Sequence, residues 1–512
     1  MSLPKVAKTP LLACKNLGVA LRKQLFIAFV VLTLFSCATS GLQMQKTDRE
    51  YGIQIDAGSS GTRLYVYSWT RKQAAKTIYP ASQVGWNIEN RPGLATYGKN
   101  RSRIQRMFRP LLLFASNILK REGLNLQELT NVPVFLGATA GMRLLHPDDA
   151  HLIMSNVRRE LKRSIFRFEN EWARVLSGEE EGVFGWITVN YLLKRLNVDS
   201  SGTVGTIDLG GASTQITLHP PEDILANFFP LRLNSMVHNL YTHSYLYYGN
   251  DEARNIFERN LLSQPGSAGS KDNPCWPSGY VRSVGDIKLK GTSSWEACKN
   301  AARELFESDQ IPCKHSDGTR CGILGVYQPS FQGVVRIYAM SYFYYVYLFF
   351  DLDDEASLSR LAERASSICS KKFSDFVDYV DGRPVKVQDH DRMLNFCFGA
   401  AYVIGLLHEG LHFPLDNTPI VVVDKLNDSD ISWAFGSMLW HANVLNMERI
   451  NGISWLSLAE DYTSQYVQLP RLMLMLFCVE TALLIYFFVF FITKKSWCKS
   501  KPTDGRGVYE TL

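Results

Sequence analysis

Two stretches of the 512-residue chain repeat one plan, 152 residues apart: Asp56-Ala57-Gly58-Ser59-Ser60-Gly61-Thr62 and Asp208-Leu209-Gly210-Gly211-Ala212-Ser213-Thr214. In each, an Asp closes an apolar run, and a turn of small residues leads into a second run. Small residues let successive backbone N–H groups converge on an anion, and hydroxyls add further donors. Ser59, Ser60, Gly61, Gly211, Ala212 and Ser213 can therefore surround a phosphate. A carboxylate beside a phosphate is repulsive unless a cation lies between them. Asp56 and Asp208 are thus suited to holding a divalent metal through its water shell. One copy alone would read as a plain β-hairpin. Two copies, a domain length apart, suggest two lobes that each give a phosphate-binding hairpin to one cleft.

Hydrolysis of a phosphoanhydride needs charge neutralisation, in-line geometry and a positioned water. A third small-residue turn, Gly137-Ala138-Thr139-Ala140-Gly141-Met142-Arg143, ends on a cation; close backbone packing is the alternative reading of it. Ser177-Gly178-Glu179-Glu180-Glu181-Gly182 offers three carboxylates before a helix, where an ionised acid is favoured and can accept a water proton. Composition does not choose among the three. Gln215 shares a strand face with Ser213, so both can hold one water.

The elements that must position these residues alternate between strand-like and helix-like from about Asp48 to Pro470, the pattern of α/β layers. Tyr51–Asp56 and Arg63–Trp69 read as strands around the first turn, and Thr203–Asp208 and Thr214–Leu218 as strands around the second. Val132–Leu136 and Trp172–Leu176 are further short strands. Arg106–Glu122 has helical spacing, and a helix is expected from about Val183 to Leu196 after the acidic turn. Ser263–Pro274, rich in Ser, Gly and Pro, reads as a loop.

Formal net charge is +6, but residues 1–24 carry +5 and 494–512 carry +3, which leaves the body between them at −2. A nucleic-acid-binding body is excluded on that distribution. Both basic tails abut apolar runs, 25–42 and 472–493, and the second is long enough to span a bilayer as a helix. The positive-inside rule puts both termini in the cytosol and the body outside it or in a lumen. Six cysteines lie in the body: Cys275, Cys298, Cys313, Cys321, Cys369 and Cys397. An even number in an exoplasmic segment reads as three disulfides. Asn100 and Asn427 begin N-glycosylation sequons.

The stretches DAGSSGTRLYVYSW, GATAGMRLL, VLSGEEEGVFGWITVNYLL, IDLGGASTQITL and WAFGSML resemble, in order and spacing, the five apyrase motifs of the ectonucleoside triphosphate diphosphohydrolase family. The resemblance covers nearly the whole body, and the terminal spans are similar to those of its membrane-bound branch. It implies a bilobal actin-like, ribonuclease H-like α/β fold, with lobe I at 48–176 plus a return segment at 433–468, and lobe II at 177–432. It implies Ca²⁺ or Mg²⁺ as cofactor and nucleoside tri- and diphosphates as substrates. Glu181 becomes the general base and Ser213 and Gln215 the holders of the water. Thr139 and Ala140 line its approach, Trp433 lies near the metal, and Tyr345 and Tyr402 clasp the nucleobase. The implied disulfides are Cys275–Cys298, Cys313–Cys321 and Cys369–Cys397.

The expected function is apyrase activity at the exoplasmic face, with the plasma membrane favoured and the transmembrane helices able to support homo-oligomers. A diphosphatase of Golgi or lysosomal type and a catalytically silent nucleotide-binding ectodomain are the alternatives. Gly61 stands where surface members of the family usually carry His. A side chain there is expected to project toward the terminal phosphate, so glycine should leave room for a diphosphate to settle deeper.

Overall fold

The computed structural model describes residues 49–70, 81–196, 202–233, 236–264, 269–307, 321–331, 333–334, 336–381 and 393–451. The two predicted membrane segments, both tails and Cys313 lie outside the described residues. No described helix is long and apolar enough to cross a membrane.

Strands β1 (Arg49–Ala57) and β2 (Thr62–Thr70) make the first hairpin, with Asp56 opposite Arg63. They belong to a five-stranded sheet with β3 (Ala81–Asn90), β4 (Val134–Ala138) and β5 (Ala173–Val175), in the order β3-β2-β1-β4-β5. The β1–β4 and β4–β5 pairs are parallel. Parallel pairs require crossovers, and helices supply them. Helices α1 (Arg101–Arg121) and α2 (Leu126–Leu129) join β3 to β4; α3 (Ala140–Arg143) and α4 (Pro147–Lys162) join β4 to β5. Helix α1 begins where the Asn100 side chain accepts from the Arg103 N–H, and it buries Ile104, Met107, Phe108, Leu111 and Ala115 along one stripe.

Helix α5 (Gly178–Leu192) leads to the second half. There, in chain order, follow β6 (Gly205–Leu209), β7 (Ser213–Leu218), β8 (Phe228–Leu233), β9 (Met236–Leu246) and helix α6 (Asn250–Ser263). A small sheet comes next, built from β10 (Ser270–Asn273), β11 (Val281–Val284) and β12 (Ile287–Gly291), then helix α7 (Trp295–Glu307). Strand β13 (Ile337–Ser341) runs into α8 (Tyr342–Phe350), α9 (Leu358–Cys369), α10 (Phe373–Asp381) and α11 (Asn395–Ile404). Strand β14 (Ile420–Val422) and helix α12 (Trp433–Asn451) follow.

The larger sheet here has the order β14-β13-β6-β7-β9-β8. Without its edge strand β8, it repeats the first sheet strand for strand, including the antiparallel hairpin and the two parallel neighbours. Each sheet has its own core: one runs from Tyr51 to Ala173, the other from Ile207 to Val422. The duplication inferred from two short turns therefore extends to the five-stranded arrangements that carry them.

Two expectations need correction. The acidic stretch is not a turn before a helix beginning near Val183; it is the first turn of α5. Ser177 accepts from the Glu180 N–H while the Glu180 carboxylate accepts from the Ser177 N–H, a capping box that starts the helix five residues early. Within the expected loop 263–274, residues 270–273 form β10, paired in parallel with β12. Cys275–Cys298 and Cys369–Cys397 are disulfides, as the resemblance implied. Cys321 is disulfide-bonded too.

The start of α12 ties the lobes together. Ser437 donates to Gln54 Oε1 on β1 at 3.1 Å, and the Gly436 N–H donates to Thr188 Oγ1 on α5 at 2.8 Å. A Cβ at Gly436 would fall on the Phe184 carbonyl. Gly436→Ala is therefore expected to cost about 1–3 kcal/mol through overpacking, read as a lowered midpoint in thermal or denaturant unfolding.

Candidate active site

Both hairpin turns open into one cleft of about 710 Å³. Asp56, Ser59, Ser60, Thr139 and Ala140 line it from lobe I; Glu181, Asp208, Gly211, Ala212 and Ser213 line it from lobe II; Trp433 and Tyr345 line it too. Strand register explains the pairing of the acids. Each Asp is the penultimate residue of the central strand of its sheet, one step before the small-residue turn.

Glu181 is 9% exposed. It sits there because α5 lies very close to β7 and β9: a Cβ at Gly178 would collide with Ser244. Arg143, at the end of α3, donates through Nη2 to Glu181 Oε2 at 2.9 Å and to Ser213 Oγ at 3.1 Å, and through Nη1 to the Leu176 carbonyl at 3.2 Å. Gln215 Nε2 donates to Ser213 Oγ at 2.6 Å and to Ser244 Oγ at 3.0 Å. Gln215 thus stands behind Ser213, one layer from the cleft. Glu180 faces the other way, paired with Arg174 at 2.6 and 2.8 Å. Burial works to raise its pKa, but Arg174 and the Ser177 bonds outweigh that and hold it below its ordinary value. Structure therefore separates the three acids that composition could not.

Electrostatics in the cleft is dominated by burial. Burial pushes Glu181 up to about 8, opposed by Arg143 and reinforced by Asp208 and Asp56. Burial pushes Asp56 up to about 7, opposed by Arg63 at 3.7 Å and reinforced by Asp208. Burial also raises Asp208, with the Ser341 hydroxyl opposing. Asp56 Oδ1 and Asp208 Oδ1 are buried without a hydrogen-bond partner. Two orphaned carboxylate oxygens aimed into one cleft fit a divalent cation. No described group of three His, Cys, Asp or Glu side chains surrounds that point, so water would complete the shell.

Two predicted site residues are not where the sequence suggested. Tyr402 is 0% exposed; its ring stacks between Phe306 and Phe398 and its hydroxyl donates to the Tyr248 carbonyl at 2.8 Å. It belongs to the lobe II core. Phe396, six positions earlier on α11 and on another face of it, lines the cleft with Tyr345, which is 52% exposed. Gly61 is buried and does not line the cleft. A Cβ there would point at Glu89 Oε1, 2.6 Å away, and at Arg91. Gly61 therefore does not open space toward the terminal phosphate, contrary to expectation, and it provides no room for a deeper-seated diphosphate. Asn100 and Asn427 are both exposed; Asn427 Nδ2 donates to the Leu192 carbonyl at 2.7 Å.

The profile of the GDA1/CD39 (nucleoside phosphatase) family matches residues 42–454. The chain belongs to this family. It is similar to probable apyrase 3 of Arabidopsis thaliana, 29% identical over 424 residues that cover 78% of this chain and 84% of the relative. It is similar to ectonucleoside triphosphate diphosphohydrolase 1 of Bos taurus, 29% identical over 465 residues covering 82% and 86%. A crystal structure of nucleoside triphosphate hydrolases from Neospora caninum shares the fold, with a TM-score of 0.56 at 16% identity, over 81% of this chain and 97% of that one. The mixed α/β architecture is thus similar to that of actin-like nucleotide hydrolases. Among this family member's cleft residues, Phe396 and Ser341 lay outside the sequence reading. So did the link from Gln215 to Ser244, its cross-strand partner.

The raised acids set a pH dependence with a definite sign. A carboxyl whose folded pKa lies above its unfolded value favours the fold while protonated. That contribution is full below the ordinary carboxylate range near pH 4. It is lost as pH rises through about 7 for Asp56 and about 8 for Glu181. Cation-free protein should therefore melt progressively lower from about pH 5 to pH 8, and Ca²⁺ added at pH 8 should recover part of the loss. A melting temperature flat across that range in chelator would contradict the buried-acid description.

Proposed function

We propose that this protein hydrolyses the terminal phosphates of nucleoside tri- and diphosphates, using a divalent cation, Ca²⁺ or Mg²⁺, and a water activated by Glu181. The observation that carries this is the pair of unpartnered, buried oxygens of Asp56 and Asp208 in a cleft that both small-residue turns line. Family membership supports nucleotide phosphohydrolysis as the reaction class.

The terminal phosphate would lie between the turns, with backbone N–H groups of Ser59, Ser60, Gly211 and Ala212 as donors. Asp56 and Asp208 would hold the cation, which when bound supplies positive charge against the phosphate oxygens. Ser213 Oγ already accepts from Arg143 and Gln215, so its own proton is free to be given outward. Glu181 accepts the proton of the attacking water. A base with a pKa near the working pH both exists in the ionised form and holds the proton it takes. Arg143 keeps the Glu181 carboxylate oriented and draws its pKa down from what burial alone would give. Tyr345, half exposed on the cleft wall, would offer its ring to a nucleobase with few hydrogen-bonding groups, which would tolerate several bases, while Phe396, stacked on Phe349 and Tyr342, lines the cleft.

Residence outside the cytosol, anchored by 25–42 and 472–493, is part of the same proposal. The two lobe II disulfides support it, because such bonds persist in oxidising compartments.

Phosphate release from ATP, ADP, UTP and UDP with Ca²⁺ or Mg²⁺ tests the activity directly. Glu181→Gln should lower turnover about 10²–10⁴-fold while nucleotide binding survives. Glu180→Gln should stay active: Gln can still accept from the Ser177 N–H, and loss of the ion pair with Arg174 should cost at most about 1 kcal/mol. An inactive Glu180→Gln beside an active Glu181→Gln would sink the mechanism.

A further inference from the structure

We propose that Gly249 is a positioning residue for phosphate binding: it lets the start of α6 rest directly on the second small-residue turn, and that contact aims the turn's N–H groups into the cleft. The proposal rests on the reading of that turn as a phosphate cradle given above.

Space supplies the first argument. Gly249 caps α6 in extended backbone, with φ −79° and ψ 157°, a conformation that any residue adopts. Glycine is therefore not needed there for backbone freedom. It is needed for close approach: a Cβ would lie 2.3 Å from Ala212 N and 2.4 Å from both Gly211 C and Ser213 N. All three are backbone atoms of the turn, so no side-chain rotation relieves the overlap. Lobe I treats its own turn in the same way. Gly93 precedes a one-turn 3₁₀ helix (Leu94–Tyr97) with φ −62° and ψ 157°, and a Cβ there would lie 2.6 Å from Ser59 C and 2.1 Å from Ser59 O. Ser59 and Gly211 are the fourth residues of the two repeated stretches. The glycines themselves stand one residue apart in register: Thr62 pairs with Asn90, three residues before Gly93, and Thr214 with Tyr245, four before Gly249. What the lobes share is the point of contact on the turn. Neither glycine falls within the five motifs.

Hydrogen bonding supplies the second. The first N–H groups of a helix have no partner within it. At α6 they are spent on the turn. The Asn250 N–H donates to the Gly210 carbonyl at 2.9 Å, and the Asp251 and Glu252 N–H groups donate to the Gly211 carbonyl at 2.8 and 3.1 Å. A trans peptide unit is planar, with its C=O and N–H on opposite sides. A Gly210 carbonyl held toward α6 therefore turns the Gly211 N–H away from that helix. The Gly211 carbonyl does the same for the Ala212 N–H. Both residues line the cleft. Two adjacent glycines leave a turn many conformations; the start of α6 selects the one that presents donors to an anion.

Affinities for a nonhydrolysable ATP analogue and for AMP are measured calorimetrically on the full chain in detergent, with Ca²⁺ present. AMP lacks the terminal phosphate, so the ratio of the two affinities reads the turn rather than the stability of the fold. Gly249→Ala should lower that ratio about ten- to hundredfold, the scale of one hydrogen bond to a charged group. A second pair of variants decides the matter even if Gly249→Ala does not fold. Asn250→Pro deletes the donor to the Gly210 carbonyl; proline is favoured as the first residue of a helix, and the extended Gly249 suits the position before it. Asn250→Ala loses the same side chain and keeps the donor. The ratio should be about tenfold lower in Asn250→Pro than in Asn250→Ala. Equal ratios in those two, or a native ratio in folded Gly249→Ala, overturn the proposal. A native chain that binds AMP as tightly as the ATP analogue removes the phosphate reading itself.

Discussion

Placing Asp56 and Asp208 in one cleft, each with a buried oxygen that nothing donates to, works against the fold. An isolated carboxylate taken from water loses hydration that only a counter-charge or hydrogen bonds can replace. Lobe I offers Asp56 one cation, Arg63 at 3.7 Å, which is too distant for a good hydrogen bond. Lobe II leaves Asp208 Oδ1 buried without a partner. Neither acid is satisfied by the protein alone, and burial raises both, Asp56 to about 7. A divalent cation, itself close to a polyphosphate, resolves both deficits at once. The same unmet demand that weakens the empty cleft makes it a receptor.

The remaining architecture can be understood as what holds this arrangement in place. Two sheets of the same topology end their central strands at the same point, so symmetry of the fold becomes symmetry of the site. Helix α5 lies close enough on lobe II to deliver Glu181 beside Ser213. Arg143 reaches from lobe I to both of them. That arginine is thus a crossing between lobes as well as a brace for the base. Helix α12 makes a second crossing through Ser437 and Gly436. A hydrolytic cleft built between two lobes needs such ties, since about 1 Å of misplacement can cost two orders of magnitude in rate.

Much of this was legible in the sequence because the informative patterns are local. The hairpin strands were located to within a few residues, since an apolar run, a small-residue turn and a second run are contiguous. Ser177 and Glu180 also carried a local signal, the S-x-x-E spacing of a capping box, but three adjacent acids made the stretch look like a surface turn. Other features depend on contacts between distant segments. Which face of the apolar helix α11 meets the cleft decides between Phe396 and Tyr402, and apolar residues surround both. The direction of a Cβ at Gly61 depends on β3 lying alongside. Ser244 becomes a partner of Gln215 only through pairing of β7 with β9.

The central claim is that the cleft holds two carboxylates the fold cannot satisfy without a cation. Unfolding of an Asp56→Asn, Asp208→Asn double variant at about pH 8 in chelator, where the native Asp56 has ionised, tests it most directly. The account predicts that the double variant is more stable than the native chain under those conditions and releases no phosphate from ATP when Ca²⁺ is supplied. A double variant less stable than the native chain in chelator, or one that still hydrolyses ATP, would contradict it.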